Sequence, residues 1–174
     1  KQKKLRTKQC INEWHKLASY ASTKGIKYLT WEPMSISREY GETIYRCKQI
    51  HKMLNYGSSL PFKLCLDVDH GDIESKNPKD TNPYAWLNEL VNDSSELHLK
   101  QSNKNKSGHW PFTKEFNNTG KILPNKILKI IKSSNHQTYK LFLELSFKER
   151  QPIDKNIIKT IKESINYWKL FLKD

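Results

Sequence analysis

The stretch Pro61-Phe62-Lys63-Leu64-Cys65-Leu66-Asp67-Val68 decides the fold of this chain. It is short, β-prone and almost continuously apolar, and an acid stands at its end; such a run reads as a buried strand of a parallel sheet. Three more runs of the same kind flank it in sequence. Ile26–Trp31 lies upstream, and Glu96–Leu99 (shorter and weaker) and Tyr139–Leu145 lie downstream. Helical spacing fills the intervals. Trp14, Leu17, Ala18 and Ala21 mark a helix with Gly25 as its cap, and Ile44, Cys47, Ile50, His51 and Leu54 mark one closed by Gly57. Pro83 and Pro124 each sit at a first-turn position and open two more. A last helix runs from Asp154 to about Leu172, where the stripe Ile157/Ile161/Ile165 reads as core packing. The order is one helix followed by four strand–helix units, the pattern of an α/β fold with a parallel sheet covered by helices.

Composition narrows the classes. The chain has 174 residues, 36% of them hydrophobic and 11% aromatic, enough to bury a core and to exclude wholesale disorder. No apolar stretch approaches the roughly 20 residues that span a bilayer, and basic residues 1–9 are followed by no apolar core of a secretory signal. Cys10, Cys47 and Cys65 form no Cys-x-x-Cys pair and read as buried or incidental thiols of a cytoplasmic protein. The net charge of +13 could mark a nucleic-acid binder. Lysine supplies nearly all of it, however; the arginines are Arg6, Arg38, Arg46 and Arg150, and the lysines are scattered over every segment. Dispersed lysine fits solvated faces better than a phosphate-binding stripe, so nucleic acid is not the expected partner.

Function enters at the strand ends. The longest expected loops, 33–41, 69–82, 101–123 and 146–153, all follow strands, as do the loops that build active sites on β/α barrels. At those ends stand Glu32, Asp67 (within Asp67-Val68-Asp69-His70), His98 and Glu144. Four successive parallel strands would carry these groups to one rim. Three carboxylates and an imidazole make a mostly oxygen shell, suited to Mn²⁺, Co²⁺ or Mg²⁺ more than to a structural zinc. Glu144 is the most telling of the four, because it interrupts Leu141-Phe142-Leu143 and Leu145, and charge in so apolar a run needs a partner.

In that order these motifs resemble the last four strands of the xylose-isomerase-like, endonuclease-IV-like β/α barrels. Trp31-Glu32-Pro33-Met34 looks like the fifth-strand motif, Asp67-Val68-Asp69-His70 the sixth, His98-Leu99-Lys100-Gln101 the seventh and Leu143-Glu144-Leu145 the eighth. Trp31–Ile36, His98–Ser102 and His109–Thr113 look like the erythrulose-phosphate 3-epimerase branch. The resemblance implies residues 1–174 as a single partial domain, the C-terminal half of a (β/α)8 TIM barrel preceded by one helix. It implies a sugar or sugar-phosphate isomerase or epimerase using a divalent ion, Mn²⁺ first and Co²⁺, Mg²⁺ or Zn²⁺ as alternatives. Glu32 and Glu144 would then be both ligands and the acid–base pair acting through an enediolate, while Asp67 and His98 would be ligands alone. His70 matches a histidine that contacts substrate or a second metal. Lys100, Gln101, Ser102, Lys104, Lys106, Ser107 and His109 offer donors to a hydroxyl or phosphate, as does Arg38 on the first long loop, and Trp110-Pro111-Phe112 would wall the pocket or anchor its loop.

Two rivals remain at this level. An endonuclease IV-like abasic-site enzyme would need an Asp-x-His where the chain reads Ser107-Gly108-His109, which weakens a trinuclear site. A truncated, non-catalytic remnant is the other. The first residue is Lys1 and only four strands are legible, so the expectation is an N-terminal half-barrel supplied elsewhere, or self-association to cover the open sheet.

Overall fold

Helix α1 (Gln2–Thr23) stops where the sequence asks it to. Gly25 has φ 77°, a left-handed conformation that a Cβ disfavours, and the Ile26 N–H turns back to the Ala21 carbonyl. In the computed structural model, which describes residues 2–103, 108–135, 138–147 and 154–172, there follow β1 (Leu29–Trp31), α2 (Ile44–Asn55), β2 (Phe62–Asp67), α3 (Pro83–Leu90), β3 (Ser94–Leu99), α4 (Lys114–Asn117), α5 (Pro124–Lys132), β4 (Lys140–Leu143) and α6 (Asp154–Lys169). Thr43 caps α2 by accepting the Arg46 N–H, and Asn82 caps α3 by accepting from Tyr84 and Ala85 ahead of Pro83.

All strand pairs are parallel and the sheet order is β1-β2-β3-β4, so each strand lies beside its successor with helix between, as in a β/α barrel. The sheet is curled as well. Parallel neighbours lie about 4.8 Å apart, which would hold β1 and β4 about 14 Å from each other in a flat sheet. Yet Lys140 Nζ on β4 donates to the hydroxyl of Tyr28, the residue before β1, at 3.1 Å. The Lys63 and Lys140 ammoniums lie 5.1 and 5.6 Å from the centre of that same ring. Side chains of the outer strands thus meet across one face, as on the concave inner face of a half-barrel with its helices outside.

Alternation along the strands sorts the two faces. Leu64, Leu66, Leu97 and Leu99 are buried in one cluster with Cys47 and Leu54 of α2, Trp86, Leu87 and Leu90 of α3, and Ile127 of α5. The edges are looser, and one expectation is met only in part there. In α6 the buried residues are Ser164 and Trp168, whereas of the isoleucine stripe Ile157 and Ile161 are half-buried and Ile165 is 37% exposed. The helix beside the last strand has a sheet neighbour on one side only, so its isoleucine stripe is covered only in part. Ser164 is buried because its hydroxyl accepts the Phe112 N–H at 2.9 Å, fastening α6 to the loop after β3. That loop also holds more order than its sequence announces, namely α4 and an antiparallel bridge between Gln101 and Trp110.

Candidate metal centre and active site

Strand register assembles the cluster. Asp67 ends β2 opposite His98 on β3, Glu32 directly follows β1 and Glu144 directly follows β4. The Glu144 N–H continues the β3–β4 ladder to the Leu99 carbonyl at 2.9 Å, which fixes where its side chain leaves the backbone. One ligand atom from each of Glu32, Asp67, His98 and Glu144 lies within 4.8 Å of every other. The structure thus brings together all four residues singled out at the strand ends.

Their electrostatics suit a cation. Glu32 Oε1 and His98 Nδ1 are buried without a hydrogen bond, 3.4 Å apart, and His98 Nδ1 stands 3.6 Å from Glu144 Oε2. Unsatisfied acceptors turned toward one another cost free energy unless a positive group lies among them. Asp67 is deeper, its side chain wholly covered, with Oδ1 accepting the Asp69 N–H at 2.7 Å and Oδ2 2.6 Å from the Lys100 ammonium. Burial, together with a hydrogen bond shared with Glu144, pushes the Asp67 carboxyl up to about 6. Burial works in the same direction on Glu144 but is outweighed by hydrogen bonds from Asp67 and Lys100, which hold that carboxyl down at about 2. Oxygen donors with one nitrogen fit a hard divalent ion, and Glu32, Asp67, His98 and Glu144 are the residues that would hold it.

The other expected site residues divide. His70 joins the cluster: Nδ1–H donates to the Pro33 carbonyl at 2.8 Å, and Nε2 lies 3.7 Å from Asp67 Oδ2. His109 also reaches it, half-exposed and 3.7 Å from Glu144 Oε1, with its carbonyl accepting the Ser146 N–H. Lys100 is not a free donor on the loop. It is 1% exposed and bridges Asp67 and Glu144, because β3 alternation puts it on the face of His98. Gln101 is corrected too. Its amide is buried and engaged with Asn117, the Ile122 N–H and carbonyl, and the Ser102 N–H, so it shapes the loop and leaves no donor for a substrate. A Cβ at Gly120 would come within 2.2 Å of that amide, which explains glycine there. Arg38 is exposed on the loop after β1. Phe112 is fully buried against Trp168 and anchors the loop; Lys104, Lys106 and Ser107 lie outside the described residues.

Two contributors were overlooked in the sequence. Cys65 precedes Asp67 by two residues on β2 and therefore shares its face; Glu32, Cys65 and His98 form a second trio whose ligand atoms lie within 4.8 Å of one another. Asp69 ties the two long loops together, accepting the Ser102 hydroxyl at 2.9 Å, Lys121 Nζ at 2.6 Å and the Gly108 N–H at 3.3 Å. The strand period could have revealed the thiol, whereas the clamp joins loops that no local pattern connects.

Comparison with known proteins places this geometry. No protein-family model matches the chain. The chain shares its fold with a xylose isomerase-like β/α barrel, and its sequence is similar to that of an epimerase. A provisionally named xylose isomerase from Rhodospirillum rubrum ATCC 11170 superposes with a TM-score of 0.77 over 92% of this chain and 52% of its own, at 19% identity. The D-erythrulose 1-phosphate 3-epimerase of Brucella abortus (strain 2308) is 42% identical over 162 residues, again 92% of this chain and 52% of the relative. The chain spans about half the length of the relatives it matches, as a half-barrel would.

Proposed function

We propose that this chain carries the metal-binding rim of a sugar-phosphate 3-epimerase acting on short ketose phosphates of the erythrulose phosphate class. The observation that carries the reading is the convergence of Glu32, Asp67, His98 and Glu144 from four successive strand ends, in a chain 42% identical to an epimerase of that class. A divalent ion held there, Mn²⁺ in our reading, would stabilise the negative charge that develops on substrate oxygens as a carbon-bound proton leaves. The residues do the rest. Glu32 and Glu144 belong to the outer strands of the sheet, so a substrate between them turns one face to each. One carboxylate takes the proton from the carbon and the other returns one on the opposite face, which inverts the centre. His70 and His109 flank the pair and supply hydrogen bonds to substrate hydroxyls.

The concave face requires four more strands to close into a barrel, from the remainder of a longer chain, a partner or a second copy. No described helix is long and apolar enough to cross a membrane, and the three cysteines are unpaired, which supports a cytoplasmic setting. The test is exchange of the C3 proton of D-erythrulose 1-phosphate in D₂O with Mn²⁺, followed by NMR. Exchange that falls about 10²-fold or more in Glu144→Gln and in Glu32→Gln is expected of a general acid–base pair. Exchange at the wild-type rate in both variants would sink the assignment.

A further inference from the structure

Lys100 is 1% exposed, yet it lies at the end of β3 in the midst of the acidic cluster. Its ammonium is 2.6 Å from Asp67 Oδ2, 3.1 Å from Glu144 Oε2 and 3.4 Å from each ring nitrogen of His109. A buried lysine of this kind persists only when its charge is matched, and here two of the four candidate ligands match it. The count of charges then matters. Glu32, Asp67 and Glu144 contribute three negative charges when ionised, and Lys100 returns one positive charge. The sum is two negative, the complement of one divalent cation.

We propose that Lys100 is the built-in counter-cation of this site, a positioning residue that sets its net charge and thereby selects a single divalent ion over a trivalent ion or a pair of divalent ions. The proposal rests on the metal-site reading above. A surface lysine would be screened by water and select little, whereas an ammonium enclosed at these distances acts through a low effective dielectric. It also holds Asp67 and Glu144 on a common anchor, so the two oxygens are kept from rotating away when no ion is bound. Arginine would preserve the charge, and methionine would preserve the bulk without it.

The experiment is a competition on the full 174-residue chain, in which Mn²⁺ displaces Tb³⁺ followed by sensitised luminescence, for wild type, Lys100→Met and Lys100→Arg. Loss of one enclosed charge should favour the trivalent ion by at least about tenfold relative to Mn²⁺ in Lys100→Met, with Lys100→Arg close to wild type. A purely structural role would weaken both ions together and leave their ratio unchanged; that result overturns the proposal while leaving the metal site standing. A wild-type chain that binds neither ion overturns the metal reading and this proposal with it. Should Lys100→Met fail to fold, ¹⁵N NMR of the lysine ammonium groups in wild type decides. A protected signal that is absent in Lys100→Arg and shifts on saturation with Mg²⁺ supports the assignment, and lysine signals indifferent to Mg²⁺ overturn it.

Discussion

Strands β2 and β4 each send one carboxylate to the same cluster, but from opposite surroundings. Asp67 ends a strand buried along nearly its whole length, its side chain is wholly covered, and Lys100 and the Asp69 N–H hold its two oxygens. Glu144 follows a strand at the edge of the sheet, with Phe142 on it 48% exposed, and its own side chain is 39% exposed. The chain therefore builds one arm of the cluster completely and the other in part. Central strands fix geometry by packing, while an edge strand waits for a neighbour. The largest expected effect tests this difference. Asp67→Ala should lower stability by about 3 kcal/mol, because it opens a gap in wholly covered surroundings and takes an acceptor from both the Asp69 N–H and the Lys100 ammonium. Glu144→Gln should cost about 1 kcal/mol or less, as at a solvent-screened pair. Urea denaturation of the metal-free variants measures both, and equal losses would break the comparison.

The same contrast holds for apolar residues. Leu97, fully buried on β3, should cost about 3 kcal/mol on truncation to alanine, within the range for deleted core leucines. Phe142→Ala should cost less than about 1 kcal/mol in this chain, since half of the ring already faces solvent. A large loss at Phe142 would mean that a second copy or another segment covers the concave face in solution.

How much could be read in advance follows the same division. The run around Asp67 announced its strand because both faces of β2 are buried, and Gly25 and Gly57 announced the helix ends because both have positive φ. The four clustered residues were legible since each ends a strand, and parallel strands of one sheet end on one rim. Lys100 and Gln101 were read as free donors on the loop and are buried and engaged instead. Their letters say polar and their loop position says exposed, but burial depends on partners distant in sequence: Glu144 for the first, Asn117 and Ile122 for the second. The isoleucine stripe of α6 is only partly covered for the converse reason, because an amphipathic stripe says which face wants cover and not whether cover is present.

A smaller effect concerns reactivity. Burial pushes the Cys47 and Cys65 thiols far above the ordinary range, so neither offers thiolate at neutral pH, whereas Cys10 is raised by burial as well but is only partly covered. Iodoacetamide should label Cys10 first in the folded chain. Prompt labelling of Cys65, beneath the cluster, would show that β2 is less closed than its packing implies.

The pH dependence of stability separates the two acids most finely. Asp67 titrates near 6 in the folded chain against 3.8 for an ordinary aspartate, so between those values the folded state holds more protons than the unfolded one. Its contribution is fully present below about pH 4 and is lost as pH rises through about 6. Glu144 runs the other way: depressed from 4.5 to about 2, it contributes above about pH 4.5 and its contribution is lost as pH falls toward 2. The metal-free chain should therefore melt highest near pH 4–4.5 as far as this pair is concerned, with a decline of a few degrees toward pH 6–7. Mn²⁺ should remove that decline, because an ion among the ligands favours the charged carboxylate that burial penalises. Glu144→Gln should shrink the decline without abolishing it, since burial is the larger cause of the Asp67 shift and the bond with Glu144 the lesser. Thermal melts across this range, with EDTA and with Mn²⁺, give the three slopes, and a decline that vanishes in Glu144→Gln would place the cause in the edge strand after all.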